Sequence, residues 1–232
     1  MRKTWIIACA AAAAVFAGCN REFDAPVPGD GFLRATIETP SRVSFTDEGV
    51  FSWQAGDAIA VSTNAGFKTF TLQSGEGAAS GVFDGDLAGV TSATVAVYPA
   101  AVAKDDATVT LPAEYAWAEG QSNAVMFCDK VSLTEVNSFK HLGGIIKVSF
   151  AEIPADADAM VLKAEAKITG DFAIANGVIA AGAGTDEVKV TFATGSNPAA
   201  FYIPVPTGEY KFSVELQKAG AAIEVKECRE QD

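Results

Sequence analysis

The sequence predicts an all-β protein of two β-sandwich blocks in tandem, the second one small, behind an exported N-terminal segment. Three observations carry this. Short runs of apolar residues alternate with polar ones from Gly31 almost to the end of the chain. Turn residues punctuate those runs about every 8–12 positions, the spacing of sandwiches and barrels. No stretch holds a convincing helical period. Residues 155–166 (ADADAMVLKAEA) are alanine-rich enough to imitate a helix, but a strand over Ala159 to Ala164 is the better reading.

The elements follow in order. Phe32, Ala35 and Ile37 begin an alternating run that Pro40 stops. Arg42 to Thr46 and Val50 to Trp53 flank Asp47-Glu48-Gly49, a hairpin signal. Ala58 to Ser62, Phe67 to Leu72, Gly81 to Phe83 and Ala93 to Tyr98 continue the pattern, with Gly56-Asp57 turning the chain and Pro99 ending a strand. His141 to Phe150 reads as one long strand. Further strands are expected at Lys167 to Ala173, Val178 to Ala180, Val188 to Phe192, Ala200 to Val205, Tyr210 to Leu216 and Ala222 to Lys226. Pro204 and Pro206 alternate inside an apolar run and mark an edge strand lacking donors. The expected organisation is residues 1–18 as signal, 19–30 as tether, 31–150 as the first sandwich and 151–232 as the second. About 80 residues after the boundary, against about 120 before it, leave the second block marginal alone. Its strands at 201–205 and 210–216 are expected to offer an open edge or a donor segment.

The N-terminus has the parts of an export signal. Arg2 and Lys3 are positive, and Trp5 to Phe16 is apolar but too short to cross a bilayer. Ala17-Gly18 then leads directly into Cys19. This resembles the lipobox of bacterial lipoproteins, which implies lipidation at Cys19, cleavage before it and stable anchoring by several acyl chains. The alternative is an ordinary secretory signal with an incidental cysteine. Residues 20–30 (NREFDAPVPGD) are polar, carry two prolines and read as tether.

Composition excludes several classes. The chain has formal net charge −12; without residues 1–18 it has 15 basic and 29 acidic residues, or −14. Nucleic acid and anionic lipid surfaces both select a basic face, so neither is expected as partner. Cys128 and Cys228 are the cysteines left after Cys9 and Cys19; one disulfide or two separate thiols are both open. No cofactor or metal is expected. There is no GxSxG, HExxH, Walker loop or CxxC, so no enzyme is indicated. The pairs Asp84/Asp86, Asp105/Asp106 and Asp156/Asp158 suit turn chemistry better than calcium or glycoside hydrolysis. His141, the only histidine, sits beside a Gly pair and reads as packed or surface rather than catalytic. Tyr115 and Trp117, in a loop-like stretch, are the best aromatic candidates for a ligand contact.

Three stretches together resemble the fimbrillin-like family of lipoprotein-derived pilus subunits. They are Arg42 to Thr46 with Phe51-Ser52-Trp53 and Gly56 to Val61; Ala96-Val97-Tyr98-Pro99 with Val109 to Pro112 and Gln121 to Met126; and Phe139 to Val148 with Phe201 to Pro206 and Gly208-Glu209-Tyr210. The resemblance implies two tandem sandwiches of transthyretin- or Ig-like, Greek-key type. It implies a trypsin-like cut that removes the first strand and opens a groove for a neighbour's strand. Arg34 and Arg42 are the basic residues placed for that cut, and Arg42, after the Pro40-Ser41 turn, suits a protease cleft better. The implied protein is a lipid-anchored subunit at the outer membrane, cell surface or fimbrium, with other such subunits as partners and a role in adhesion to a host or glycan ligand. The alternative is a surface glycan-binding lipoprotein of a nutrient-uptake system.

The lipobox reading predicts that Cys19→Ser moves the protein from the membrane fraction to the soluble one. Labelling with a fatty-acid analogue should mark the wild type and not the variant; an unlabelled wild type rejects the anchor.

Overall fold

The computed structural model of the protein describes residues 31–38, 51–119, 123–179 and 183–228. The described chain is all-β, with one 3₁₀ turn at Ala100–Val102 and no α-helix. Its strands are β1 Phe32–Ile37, β2 Ala58–Thr63, β3 Gly66–Ser74, β4 Ser80–Gly85, β5 Ala93–Tyr98, β6 Ala103–Asp105, β7 Thr108–Leu111, β8 Glu114–Ala116, β9 Met126–Cys128, β10 Val136–His141 and β11 Gly144–Val148. After them come β12 Ala159–Ala164, β13 Thr169–Ala175, β14 Val178–Ile179, β15 Ala183–Thr185, β16 Glu187–Thr191, β17 Phe201–Val205, β18 Phe212–Lys218 and β19 Ala221–Cys228.

The first unit corrects the expectation of an open sandwich. Its ladders run β1-β10-β9-β5-β2-β3-β4 and close from β4 back to β1, making a seven-stranded barrel. Closure removes the edges that a sandwich leaves to solvent. Alternation fills the interior: Leu33, Ala35 and Ile37 of β1, Ile59 and Val61 of β2, Phe70, Phe83 and Phe139 share one apolar cluster. Trp53 is wholly buried at its centre, with its ring edge-on to Phe83 at 4.9 Å, Tyr98 at 5.3 Å and Phe139 at 5.8 Å. Residues 51–53 are outside any ladder, although the Trp53 N–H donates to the Ala78 carbonyl at 2.9 Å. The rest of the expected hairpin, residues 39–50, lies outside the described residues. The Gly56-Asp57 turn is present, and Asp57 accepts hydrogen bonds from the Gln54 N–H at 2.7 Å and the Tyr98 hydroxyl at 2.8 Å.

The opposite face of the barrel wall builds a second core. Ala96, Met126 and Cys128 point into the barrel, so the alternate residues Val97 and Phe127 point out. They pack on Val102, Val109, Leu111, Leu142, Phe172 and Ile179. A third core, with Met160, Leu162, Val188, Val190, Phe201, Ile203, Val214 and Leu216, lies under a five-stranded sheet of order β19-β18-β12-β16-β8. The remaining sheets are β14-β13-β7-β6, with β15 on β13, and the pair β11-β17.

Strand pairing crosses residue 150. β7 pairs with β13, β8 runs parallel to β16, and β11 pairs with β17. The residues after 150 therefore share their sheets with β6, β7, β8 and β11. The long strand expected at 141–150 is broken: β10 ends at His141 and β11 starts at Gly144. At the break the backbone of β17 comes so close that only glycine fits, since a Cβ on Gly143 would lie 2.2 Å from the Val205 carbonyl oxygen. The segment expected as an open edge at 210–216 is instead central, because β18 pairs with both β12 and β19. Among the described residues β17 pairs with β11 alone, in keeping with Pro204 in it and Pro206 just after it. Ala159 to Ala164 is a strand, as read. Cys128 is a buried free thiol whose pKa burial pushes up.

His141 ends β10 with its ring centroid 4.4 Å from that of Phe51 and its Nε2 buried without a hydrogen-bond partner. Burial pushes its pKa below the ordinary 6.5. The folded state then binds its proton later than the unfolded state, so this contribution is complete above pH 6.5 and is lost as pH falls below it. Asp86, held low by the Ala88 N–H, and Asp156, held low by Lys218, act only beneath the ordinary carboxylate value of 3.8. The denaturation midpoint should fall between pH 7 and pH 5, and His141→Phe should flatten that slope. An unchanged slope in the variant refutes the assignment.

Candidate functional site

The candidate site is the seat of β1. Leu33, Ala35 and Ile37 are buried in the barrel, while Phe32, Arg34 and Thr36 take the outer face and are half-buried. The strand is hydrogen-bonded on both sides. It runs antiparallel to β4, from Phe32 opposite Asp84 to Thr36 opposite Ser80. It runs parallel to β10, from Arg34 beside Val136 to Ile37 beside Phe139. The ladder extends past its end, where the Ile37 N–H donates to the Ala79 carbonyl and the Glu38 N–H to the Phe139 carbonyl, both at 2.9 Å. β1 is therefore a central strand by pairing and the first of the described strands in sequence.

Asn137 is a part of this site that sequence reading missed. It is 3% exposed. Its Nδ2 donates to the Arg34 and Ser132 carbonyls, each at 3.0 Å, and its Oδ1 accepts the Ser132 N–H at 2.7 Å. One amide side chain thus holds both β1 and the turn before β10. The available signal was an Asn at an inward position of Val136-Asn137-Ser138-Phe139, where alternation calls for an apolar residue. At the far end of β1 the Ser138 hydroxyl meets the Glu38 carboxylate, and Lys140 Nζ lies 3.9 Å from it. Ser80 Oγ and Thr36 Oγ1 are 3.2 Å apart across the β4 side. A cavity of about 150 Å³ lies on the outer face here, lined by Arg34, Ala35, Thr36, Ser80, Gly81 and Val136.

The other sequence-derived positions fall elsewhere. Cys19 and Arg42 lie outside the described residues. Tyr115 is in β8 and Trp117 follows it; both are partly buried and pack against the third core. The Trp117 Nε1–H donates to the Ala200 carbonyl at 3.1 Å, and burial pushes the Tyr115 pKa up. Little of either ring stands free as a platform. The acid pairs serve turns. Asp86 Oδ1 accepts the Ala88 N–H, Asp105 Oδ1 the Ala107 N–H and Asp158 Oδ2 the Ala219 N–H.

No family model matches the chain, and no curated protein matches it. Among solved structures it is similar to a "putative cell adhesion protein" from Bacteroides ovatus ATCC 8483, with a TM-score of 0.50, 15% sequence identity and 84% of each chain covered. At that identity the likeness speaks for the fold.

Double-sided pairing shields Arg34 from a protease cleft, which accepts extended, unpaired backbone. Apart from a cut after Arg21 in the tether, limited trypsin digestion of the folded protein should therefore cut after Arg42, giving Val43 as a new N-terminus, and not after Arg34. Ala35 appearing first, at native temperature, would mean that β1 opens on its own.

Proposed function

We propose that this protein is a cell-surface adhesion subunit of fimbrillin-like type, delivered to the membrane by lipid on Cys19 and, once cut after Arg42, joined to its neighbours by strand exchange at the seat of β1. Its role is structural rather than catalytic. The observation supporting this is the position of β1: first among the described strands, central in the barrel and paired on both sides. Loss of a central strand leaves two parallel walls of unpaired N–H and C=O groups on β4 and β10, with an apolar floor between them. Burying a Leu or Ile side chain is worth about 1.5–3 kcal/mol, so an empty seat is unstable and favours a replacement strand. The similarity in fold to a protein described in terms of cell adhesion agrees with a surface role.

The test compares intact mature protein with the same protein cut after Arg42. Mixed with an excess of labelled free β1 peptide, the cut form should take the peptide up at the seat, and the intact form should not. A cut protein that takes up no peptide, or an intact protein that takes up as much, defeats strand exchange at this seat.

A further inference from the structure

The seat of β1 is uneven along its length. Its inward row pairs Leu33 with Phe83, Ala35 with Gly81, and sets Ile37 beside Phe139. Gly81 has no room for a side chain: a Cβ there would lie 2.7 Å from Leu72 Cδ1 and 2.9 Å from Trp53 Cδ1. The Trp53 indole therefore sits over Gly81, between the rings of Phe83 and Phe139. Ala35 is 1% exposed in the same cluster and is flanked by Gly81 on one side and Asn137 on the other. The middle of the seat is shallow because Trp53 fills it, and the two ends are deep.

Resting on the strand-exchange reading, we propose that this seat selects its occupant by size. It takes a strand with large apolar residues at two inward positions and a small one, Ala, Gly or Ser, between them opposite Gly81. The outward positions select little. The contact from Asn137 goes to the backbone carbonyl of Arg34, which any residue supplies. This chain's own last strand lacks the pattern: its alternating triplets include Ile223-Val225-Glu227, Ala222-Glu224-Lys226 and Ala221-Ile223-Val225. Val225 opposite Gly81 would collide with the indole. The occupant is accordingly a strand from a different subunit, and the chain does not polymerise with itself through β19.

Two sets of measurements test this. In the intact mature protein, Ala35→Leu should lower the hydrogen-exchange protection of the 34–37 amides by about tenfold or more, as overpacking does, while Ala35→Ser should stay near wild type. Equal protection in the two variants overturns the size filter whatever happens on assembly. In protein cut after Arg42, a labelled peptide of residues 31–38 should exchange into the seat. The same peptide carrying Ala35→Leu, and a peptide of residues 221–228, should bind at least about tenfold more weakly. If either of these two peptides binds as tightly as the unchanged 31–38 peptide, the proposal is overturned. If no peptide enters, strand exchange fails as a mode of assembly, and the Ala35 variants still decide whether the seat is size-selective.

Discussion

The pairing of β1 with β10 is the constraint on which the barrel depends. It joins residues a hundred positions apart, with Arg34 beside Val136, and it is the parallel ladder in an otherwise antiparallel barrel. Closing so long a loop has an entropic cost that local hairpins such as β2-β3 avoid. The return is closure: β4 and β10 both lose a free edge, and the Leu33-Ala35-Ile37 face completes the wall around Trp53. Asn137 reinforces that junction with side-chain hydrogen bonds where the ladder alone would end.

The barrel wall is apolar on both faces where β5 and β9 pass. Ala96 and Val97 are neighbours in sequence and members of different cores. The outer core draws in Val109 and Leu111 of β7, which pairs with β13, so that chain preceding residue 150 is shared with strands that follow it. The Lys104 ammonium and Thr110 hydroxyl both engage the Asp171 carboxylate at this junction, and Lys104 holds the Asp171 pKa down. Neither unit is a self-contained sandwich strung on a linker.

A mechanism of assembly needs one element that is essential for closure and yet removable. In the proposed strand exchange β1 fills that role, being central by pairing and first among the described strands. An interior strand such as β5 could be withdrawn only by unfolding its neighbours.

The sequence by itself determined the class, most strand positions and the turns. Period-2 alternation is local: Ile59 and Val61 must share a face wherever the strand goes. The strand at Ala159 to Ala164 was legible as a short apolar run, and it is buried on both faces from Ala159 to Leu162. Candidate site residues were legible only in part. Arg34 lies in the strand the pattern indicated, whereas the role of Asn137 depends on a carbonyl a hundred residues away. Tyr115 and Trp117 looked like loop aromatics because their partners, strand β16 and Ala200, are remote in sequence. Tertiary structure alone decided which strands pair. Alternation states that one face is buried but not against what, so closure of the barrel, the exchange of strands across residue 150 and the break at Gly143 were invisible. Each depends on contacts between segments that no short window of sequence contains.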